Sequence, residues 1–433
     1  MNLFILGNGF DLMAGAKTSI VDYLTKVKES KNYYFEIVEN YLNYDHINDE
    51  AEKEKARSNL NKLGFWTTLF LKCQNDSELI QYRVQTWKNI EYYIFLVVSE
   101  VYYKENEKNK DSDLTSHEKE IIQQLIDIAY PNEKKLPEIE HRKDQLSYLY
   151  QELLRFDIAF AEYLNSLSYD KSKSTNMSTD IEKVLSNKAH IWSNDLVERP
   201  FTLNNDDIIL NFNYTSANHA CIEYKDGFCT NDMQDSIDKK RHTEFHIHGT
   251  YRQAIKLKPI NDQSDQKTNT MHFESIPLIF GFDQSVLVDN GVYELNRFTK
   301  TYQLLELARY SNNLNSFFKT IQSNSDLSIK DIYFIGHSLN KSDWSYFFAI
   351  FDFLKLPSQS DITLHFLFSK EYAETNTEAI NEYENSIFEL MIGYGDQLKL
   401  VENGSYLMTK LLLEGNIKVE KLSLPKEINE FYQ

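Results

Sequence analysis

Asn2 to Leu6 is a short, almost uninterrupted apolar run closed by Gly7-Asn8-Gly9. An apolar run of that length ending in a tight turn predicts a buried parallel strand. Thr18 and Ser19 then precede Ile20, Val21, Tyr23 and Leu24, and Ser19 with Asp22 reads as a capping box in its aspartate form. The opening is strand, loop, helix.

From about Asn32 to Lys188 the spacing changes to that of helices, with few glycines and many Glu, Lys, Tyr and Leu. The clearest stretches run from Leu79 to Val101 and from Gln145 to Leu167, where Leu146, Leu149, Leu153, Phe156, Phe160 and Leu164 share one face. Lys104 to His117 and Asp170 to Asp180 are polar breaks. Short apolar runs resume at Ile208–Phe212, Glu244–Ile247, Ile276–Phe280, Asp331–Ile335 and Ile362–Phe368. Helical patterns over Val292–Tyr310 and Asp343–Leu354 lie among them, and Lys225–His242 and Gln263–Thr270 read as long loops. This alternation predicts an α/β domain with a parallel sheet and helices on both faces, formed by residues 1–31 and 200–433. Residues 32–199 form a large helical insertion within it.

Composition narrows the class. The 433 residues are 42% hydrophobic and include 27 Phe and 28 Tyr, enough apolar surface to fold a full core rather than remain disordered. A formal net charge of −19 opposes a phosphate backbone, so nucleic acid is disfavoured as a partner. Cys73, Cys221 and Cys229 cannot all pair and match no zinc-ligand spacing, which fits a reducing compartment. No signal-peptide pattern opens the chain and no apolar window is long enough to span a bilayer, so no membrane is expected and the protein is read as cytoplasmic.

Several strand ends carry candidate chemistry. Gly7-Asn8-Gly9 after a first strand invites a dinucleotide reading, because glycines let backbone approach a pyrophosphate. The dehydrogenase fingerprint fails, since Leu12 stands where its third glycine belongs, and Ala16 with Asp11 breaks the P-loop pattern around Lys17-Thr18. Asn211-Phe212-Asn213-Tyr214-Thr215 ends the Ile208 strand at the edge where open α/β sheets bind ligands, although asparagines also serve as turn residues. Phe245-His246-Ile247-His248-Gly249 ends the next, and strand alternation sends His246 and His248 to one face. No accompanying Cys or carboxylate spacing supports a metal there. Gly336-His337-Ser338-Leu339 forms a further strand–glycine junction, after which Ser342 suits an N-cap and Asp343 the first-turn dipole.

In this order the segments resemble the AbiH-type abortive-infection family. The resemblance rests first on Ile5 to Leu12 and Lys17-Thr18-Ser19, then on Trp87–Glu91, Asn211–Thr215, His248-Gly249, Phe280-Gly281-Phe282, Phe298–Gln303 and Gly336–Asp343. That family is similar in turn to a distant branch of the sirtuin-like NAD-binding superfamily. The resemblance implies a sirtuin-like Rossmann-type fold. It assigns Asn213 and His248 to catalysis, selecting His248 over His246 because the superfamily's histidine precedes glycine. It assigns Gly7, Asn8, Gly9, Phe10, Asp11, Thr18, Gly336, Ser338 and Asp343 to binding NAD. The four-cysteine zinc module of protein-deacetylating sirtuins has no counterpart among three scattered cysteines.

The expected activity is therefore an antiphage NAD⁺ glycohydrolase releasing ADP-ribose and nicotinamide, with NAD⁺ as substrate and no metal. Such an enzyme would be held in check until infection, through a homo-oligomer or a phage-derived activator. The alternative is a non-catalytic sensor of NAD⁺ or an ADP-ribose-like signal. A nuclease would need a metal-binding carboxylate cluster, for which Asp206-Asp207 is the best pair.

Overall fold

In the computed structural model, Asn2–Leu6 (β1) runs between two parallel neighbours, with Leu3 to Leu6 paired to Ile208–Asn211 (β4) on one side and to Ile332–Ile335 of β8 (Asp331–Ile335) on the other. The described residues are 1–13, 16–43, 49–76, 78–79, 81–103, 113–130, 138–167, 190–193, 197–200, 206–215, 223–225, 228–230, 243–249, 278–287, 293–307, 313–323, 328–358, 361–370, 377–398 and 405–423. Leu3, Phe4, Ile5 and Leu6 are fully buried, which explains the unbroken apolar run: a central parallel strand is covered on both faces and has no polar side. Burial of each such side chain contributes roughly 1.5–3 kcal/mol.

Beyond β4 lies Thr243–His246 (β7), and beyond β8 lie Thr363–Ser369 (β9) and Ile417–Ser423 (β10), all parallel. Numbered by their occurrence in the chain, these six strands stand in the order 3-2-1-4-5-6. That is a doubly wound order, which reverses direction at the boundary between β1 and β8. His190–Ser193 (β2) and Val197–Pro200 (β3) extend the β10 edge as an antiparallel pair. A separate hairpin pairs Glu223–Lys225 (β5) with Phe228–Thr230 (β6).

Contacts divide the chain into two units. The first comprises Met1–Thr18, Leu164–Thr250 and Ala308–Gln433, and contains the sheet. Trp344–Phe353 (an α-helix between β8 and β9) packs on it through Phe347 and Phe351, whose rings meet Phe334 of β8. Asn313–Ser323 packs Phe317 against Phe245 of β7.

The second unit comprises Ser19–Tyr163 and Tyr251–Leu307, so residues 251–307, which the sequence reading groups with the sheet, join the helices. Ser19 and Asp22 make the expected reciprocal cap: the Asp22 N–H donates to Ser19 Oγ at 3.1 Å and the Ser19 N–H donates to Asp22 Oδ2 at 3.2 Å, and the helix Ile20–Asn43 follows. Glu138–Leu167 carries the predicted stripe, with Phe156 and Phe160 edge-on to Phe280 and Phe160 edge-on to Trp87.

Several expectations are corrected. Phe280 is not in a strand: residues 278–280 are irregular, and the chain is closed nearby by one bridge between Phe282 and Thr299. Gln303 replaces a strand partner for Phe280, accepting its N–H at 2.9 Å and donating to its carbonyl. The pattern Val292–Tyr310 is broken into Tyr293–Asn296 and Lys300–Leu307, and Leu79–Val101 into a 3-10 turn at Gln81–Val84 and a helix at Trp87–Tyr103. β10 escaped the sequence reading because it looks half charged. Its Glu420 is nevertheless buried, accepting from His365 Nδ1 at 2.7 Å, while His365 Nε2 lies 2.9 Å from Asp331.

Cys73 is a free buried thiol, which burial pushes up to about 12. Cys221, the Cys229 side chain and the predicted loop Gln263–Thr270 lie outside the described residues. No helix among those residues is long and apolar enough to cross a membrane.

Candidate functional site

The strand order reverses between β1 and β8, so the turns Gly7–Gly9 and Gly336–Leu339 lie side by side at the crevice where doubly wound sheets bind ligands. Their glycines are explained by that approach. A Cβ on Gly7 would lie 2.5 Å from the His337 Cα, and one on Gly9 2.7 Å from the Gly336 carbonyl oxygen. Gly336 itself has φ +62°, and its Cβ would lie 2.0 Å from the Phe10 nitrogen.

This close packing also corrects the phosphate-cradle reading. The Gly7 N–H donates to the Ile335 carbonyl (2.9 Å), the Gly9 N–H to the Gly336 carbonyl (2.8 Å) and the Phe10 N–H to the Gly7 carbonyl (2.8 Å). The first two bonds hold the two turns together and the third closes the first turn, so these three amides are already engaged by backbone acceptors. Phe10 is fully buried in the cluster of Leu6, Ile335 and Tyr333, so it packs the sheet.

The helix Asn8–Met13 carries Asp11, buried beneath the turn. Thr215 donates its hydroxyl to Asp11 Oδ2 at 2.5 Å, Asn213 Nδ2 approaches Oδ1 at 3.5 Å, and Thr18 donates to Asn8 Oδ1 at 3.1 Å. Thus Asn8, Thr18 and Asp11, all drawn from the first motif, form one network, which Asp11 joins to the turn after β4. Thr215 was missing from the predicted set although it stands two residues after Asn213; its only signal was that spacing.

Desolvation by burial pushes the Asp11 carboxyl up from 3.8 to about 7; hydrogen bonds from Thr215 and Thr18 pull it down, and the charge of Glu244 raises it. A carboxyl that keeps its proton in the folded chain but loses it in the unfolded one makes stability fall as pH rises between those two values, and leaves it level above them. At about 1.4 kcal/mol per pH unit the loss is on the order of 4 kcal/mol. Asp11→Asn is expected to remove that slope, so chemical denaturation at pH 5 and pH 8 should show the variant gaining on the wild type at the higher pH. Asp157, whose carboxyl burial pushes well above its usual range, is common to both proteins and cancels in the difference. An unchanged difference at the two pH values would show that Asp11 titrates normally.

Asn211 and Asn213 divide the two roles that sequence left open. Asn211 fixes the turn: its Oδ1 accepts the Asn213 N–H (2.8 Å), and its Nδ2 donates to the Thr215 carbonyl (2.9 Å) and to Glu244 (2.8 Å). Asn213 is equally buried, but its Oδ1 has no hydrogen-bond partner among the described residues.

The two histidines also part. β7 ends at His246 and the chain bends at Ile247 and His248. His246 lies 3.3 Å from Glu244 and 3.5 Å from the Asn213 carbonyl. His248 turns to Asp343, with Nε2 3.4 Å from Oδ1, and its ring lies edge-on to Phe212 and Tyr346.

Asp343 stands at the N-terminus of the helix Trp344–Phe353, as its first-turn reading expects, but makes no side-chain capping hydrogen bond, and Ser342 is not the N-cap: its Oγ accepts from Asn340 Nδ2. Ser338 stands exposed beside Gly336. Among the described residues no group of three or more His, Cys, Asp or Glu side chains is arranged to hold a metal ion.

The second unit gathers the remaining motif segments. Lys300 forms a buried ion pair with Glu91 at 2.8 Å, and the Trp87 ring lies tilted against Phe280 with centroids 4.9 Å apart. These residues serve the helical core.

A family model described as "Bacteriophage abortive infection AbiH" matches residues 3–368. No curated protein and no solved structure matches the chain.

Proposed function

The chain belongs to the AbiH family of bacteriophage abortive infection proteins, and from that premise we propose that it acts in abortive infection by hydrolysing NAD⁺ to ADP-ribose and nicotinamide on a sirtuin-like sheet. The observation that carries this reading is the buried, unpartnered Asn213 Oδ1. A desolvated acceptor without a donor costs about 1–3 kcal/mol, so such an atom calls for a ligand or water that donates to it. A ribose hydroxyl and an attacking water are such donors. The doubly wound strand order and the position of Asn213 and His248 at neighbouring strand ends support the same reading.

In the proposed reaction the bond between the nicotinamide nitrogen and the ribose C1′ breaks. Its electron pair leaves with nicotinamide, which changes from a pyridinium cation to a neutral molecule, so no general acid is required. Water attacks the resulting oxocarbenium-like C1′, and its proton passes to His248 and then to solvent. Asn213 orients the water and the ribose hydroxyls. The amides of Gly7 and Gly9 take no part in holding the pyrophosphate, because each already has a backbone acceptor. An unrestrained NAD⁺ hydrolase would deplete its own host, so activity is held back until self-association or a phage-derived activator releases it.

The test incubates the purified full-length chain with NAD⁺, with and without a chelator, and follows nicotinamide by chromatography. Chelator-insensitive release supports the hydrolase. No release, with NAD⁺ still raising the melting temperature, replaces it with a sensor; neither release nor protection removes NAD⁺ from the account.

A further inference from the structure

We propose that Asp11 is a positioning residue for Asn213. As the carboxylate it holds the amide by its NH2 group, so that Oδ1 takes a hydrogen from the attacking water and leaves the water's lone pair free for C1′. The role of the water rests on the NAD⁺-cleavage reading, whereas the coupling of Asp11 to Asn213 does not.

The argument starts from the two oxygens of one carboxyl. Asp11 Oδ2 accepts the Thr215 hydroxyl at 2.5 Å, and Oδ1 accepts from Asn213 Nδ2 at 3.5 Å. Asp11 and Asn213 are both buried, so their polar atoms need partners from the protein or from a ligand. An ionised carboxylate only accepts, and so it faces the NH2 end of the amide. The amide is planar, so pinning Nδ2 at Asp11 turns Oδ1 away from it, and that oxygen has no hydrogen-bond partner among the described residues.

A protonated Asp11 reverses this preference. Thr215 already donates to Oδ2, which leaves Oδ1 as the oxygen that carries the proton and donates it. A half-turn of the Asn213 amide then brings its own oxygen to Asp11 and puts NH2 where the water would stand. Such a donor ties up the lone pair with which the water attacks. The half-turn costs no other hydrogen bond of the turn: Asn213 meets Asn211 through its backbone N–H and His246 through its carbonyl, and Asn211 holds the Thr215 carbonyl.

Both states are populated near neutral pH, because burial pushes the Asp11 carboxyl up to about 7. Two titratable groups of β7 face the pair. Glu244 raises the Asp11 carboxyl by its charge, and His246 lies 3.3 Å from Glu244. Thr215 and Thr18 act in the opposite direction, pulling Asp11 down by hydrogen bonds to its charged form.

The coupling is tested first without substrate, by NMR through a pH titration of the full-length chain labelled with nitrogen-15 in its asparagines. The Asn213 NH2 signal is assigned by its loss in Asn213→Ala. It is expected to titrate with the midpoint of Asp11 and to show Overhauser contacts to the Asp11 β-protons only above that midpoint. Thr215→Val removes a hydrogen bond to the charged form and should move the midpoint upward. Asp11→Asn should abolish the titration. A titration that survives Asp11→Asn belongs to Glu244 or His246 and overturns the coupling, as do contacts that do not change with pH.

Nicotinamide release then tests the use of that coupling. In Asp11→Asn the new amide oxygen meets Thr215 and its NH2 meets Asn213, which holds Asn213 in the reversed orientation. This variant should lose about tenfold or more in kcat with little change in KM, the pattern of an interaction made in the transition state. The acid limb of kcat should move upward in Thr215→Val together with the NMR midpoint. A limb that stays in place while the midpoint moves removes Asp11 from the mechanism. The NMR behaviour without any release by the wild type overturns the NAD⁺ reading and leaves the coupling standing.

Discussion

Asn213→Ala is expected to lower nicotinamide release by about 10²–10³-fold while leaving the chain folded, the loss typical of removing one preorganised polar group from a reacting centre. The separation of activity from folding comes from the division of labour at the end of β4. The turn is held by Asn211, whose amide meets the Asn213 N–H, the Thr215 carbonyl and Glu244, and the Asn213 N–H survives the substitution. The Asn213 amide itself makes only a long contact to Asp11, at 3.5 Å, and leaves its oxygen without a partner. Asn211→Ala should behave in the opposite way, leaving Glu244 and the Thr215 carbonyl short of a donor and destabilising the fold by a few kcal/mol. Release rates and thermal melts of the two variants check this directly; a fully active Asn213→Ala would remove Asn213 from the mechanism.

The largest effect on stability is expected from Gly336→Ala. Two costs combine there. The backbone has φ +62°, which disfavours any L side chain by roughly 1–2 kcal/mol, and the new methyl group would lie 2.0 Å from the Phe10 nitrogen and 2.4 Å from the Gly9 carbonyl carbon. Neither neighbour is a flexible side-chain end, so the turns at β1 and β8 must separate, breaking the Gly9 N–H bond to the Gly336 carbonyl. A loss above about 4 kcal/mol follows, at the far end of the range for single substitutions.

Gly415→Ala provides the control, since Gly415 has a similar φ of +74° with nothing within 4 Å of the added methyl group. It should cost only about 1 kcal/mol. Urea denaturation of the two variants therefore separates backbone strain from collision. Equal losses would mean that the two turns do not depend on their close approach.

Much of the fold could be read from the chain because its strands are buried on both faces. β1, β4, β7, β8 and β9 each appear as a compact apolar run, and the Asn211–Thr215 and Gly336–Asp343 motifs both begin at strand ends as expected. The cap at Ser19 and Asp22 was legible for a local reason: both partners lie within one helical turn. β10 was not, because its charged residues take their meaning from His365 on another strand. Phe280 was misread for the converse reason. Its apolar neighbourhood resembles a strand, but its N–H is satisfied by Gln303, 23 residues later, which no local pattern announces.

The sequence by itself determined which residue types gather at the crevice: two glycine turns, two asparagines, two histidines and an aspartate before a helix, in the order that identifies the AbiH family. Only the tertiary structure decided how the members of each pair differ in their partners. Asn211 and His246 have their polar atoms engaged by neighbours on the same or the adjacent strand, whereas Asn213 keeps an unpartnered oxygen and His248 faces Asp343. It also decided that the glycines serve contact between two turns, and that Asp11 is a buried acid with its carboxyl near 7. Periodicity and turn chemistry are properties of neighbouring residues and can be read along the chain. Hydrogen-bond satisfaction, desolvation and close approach depend on groups remote in sequence, as for Asp11 and Thr215, whose separation is 204 residues, and arise only when folding brings those groups together.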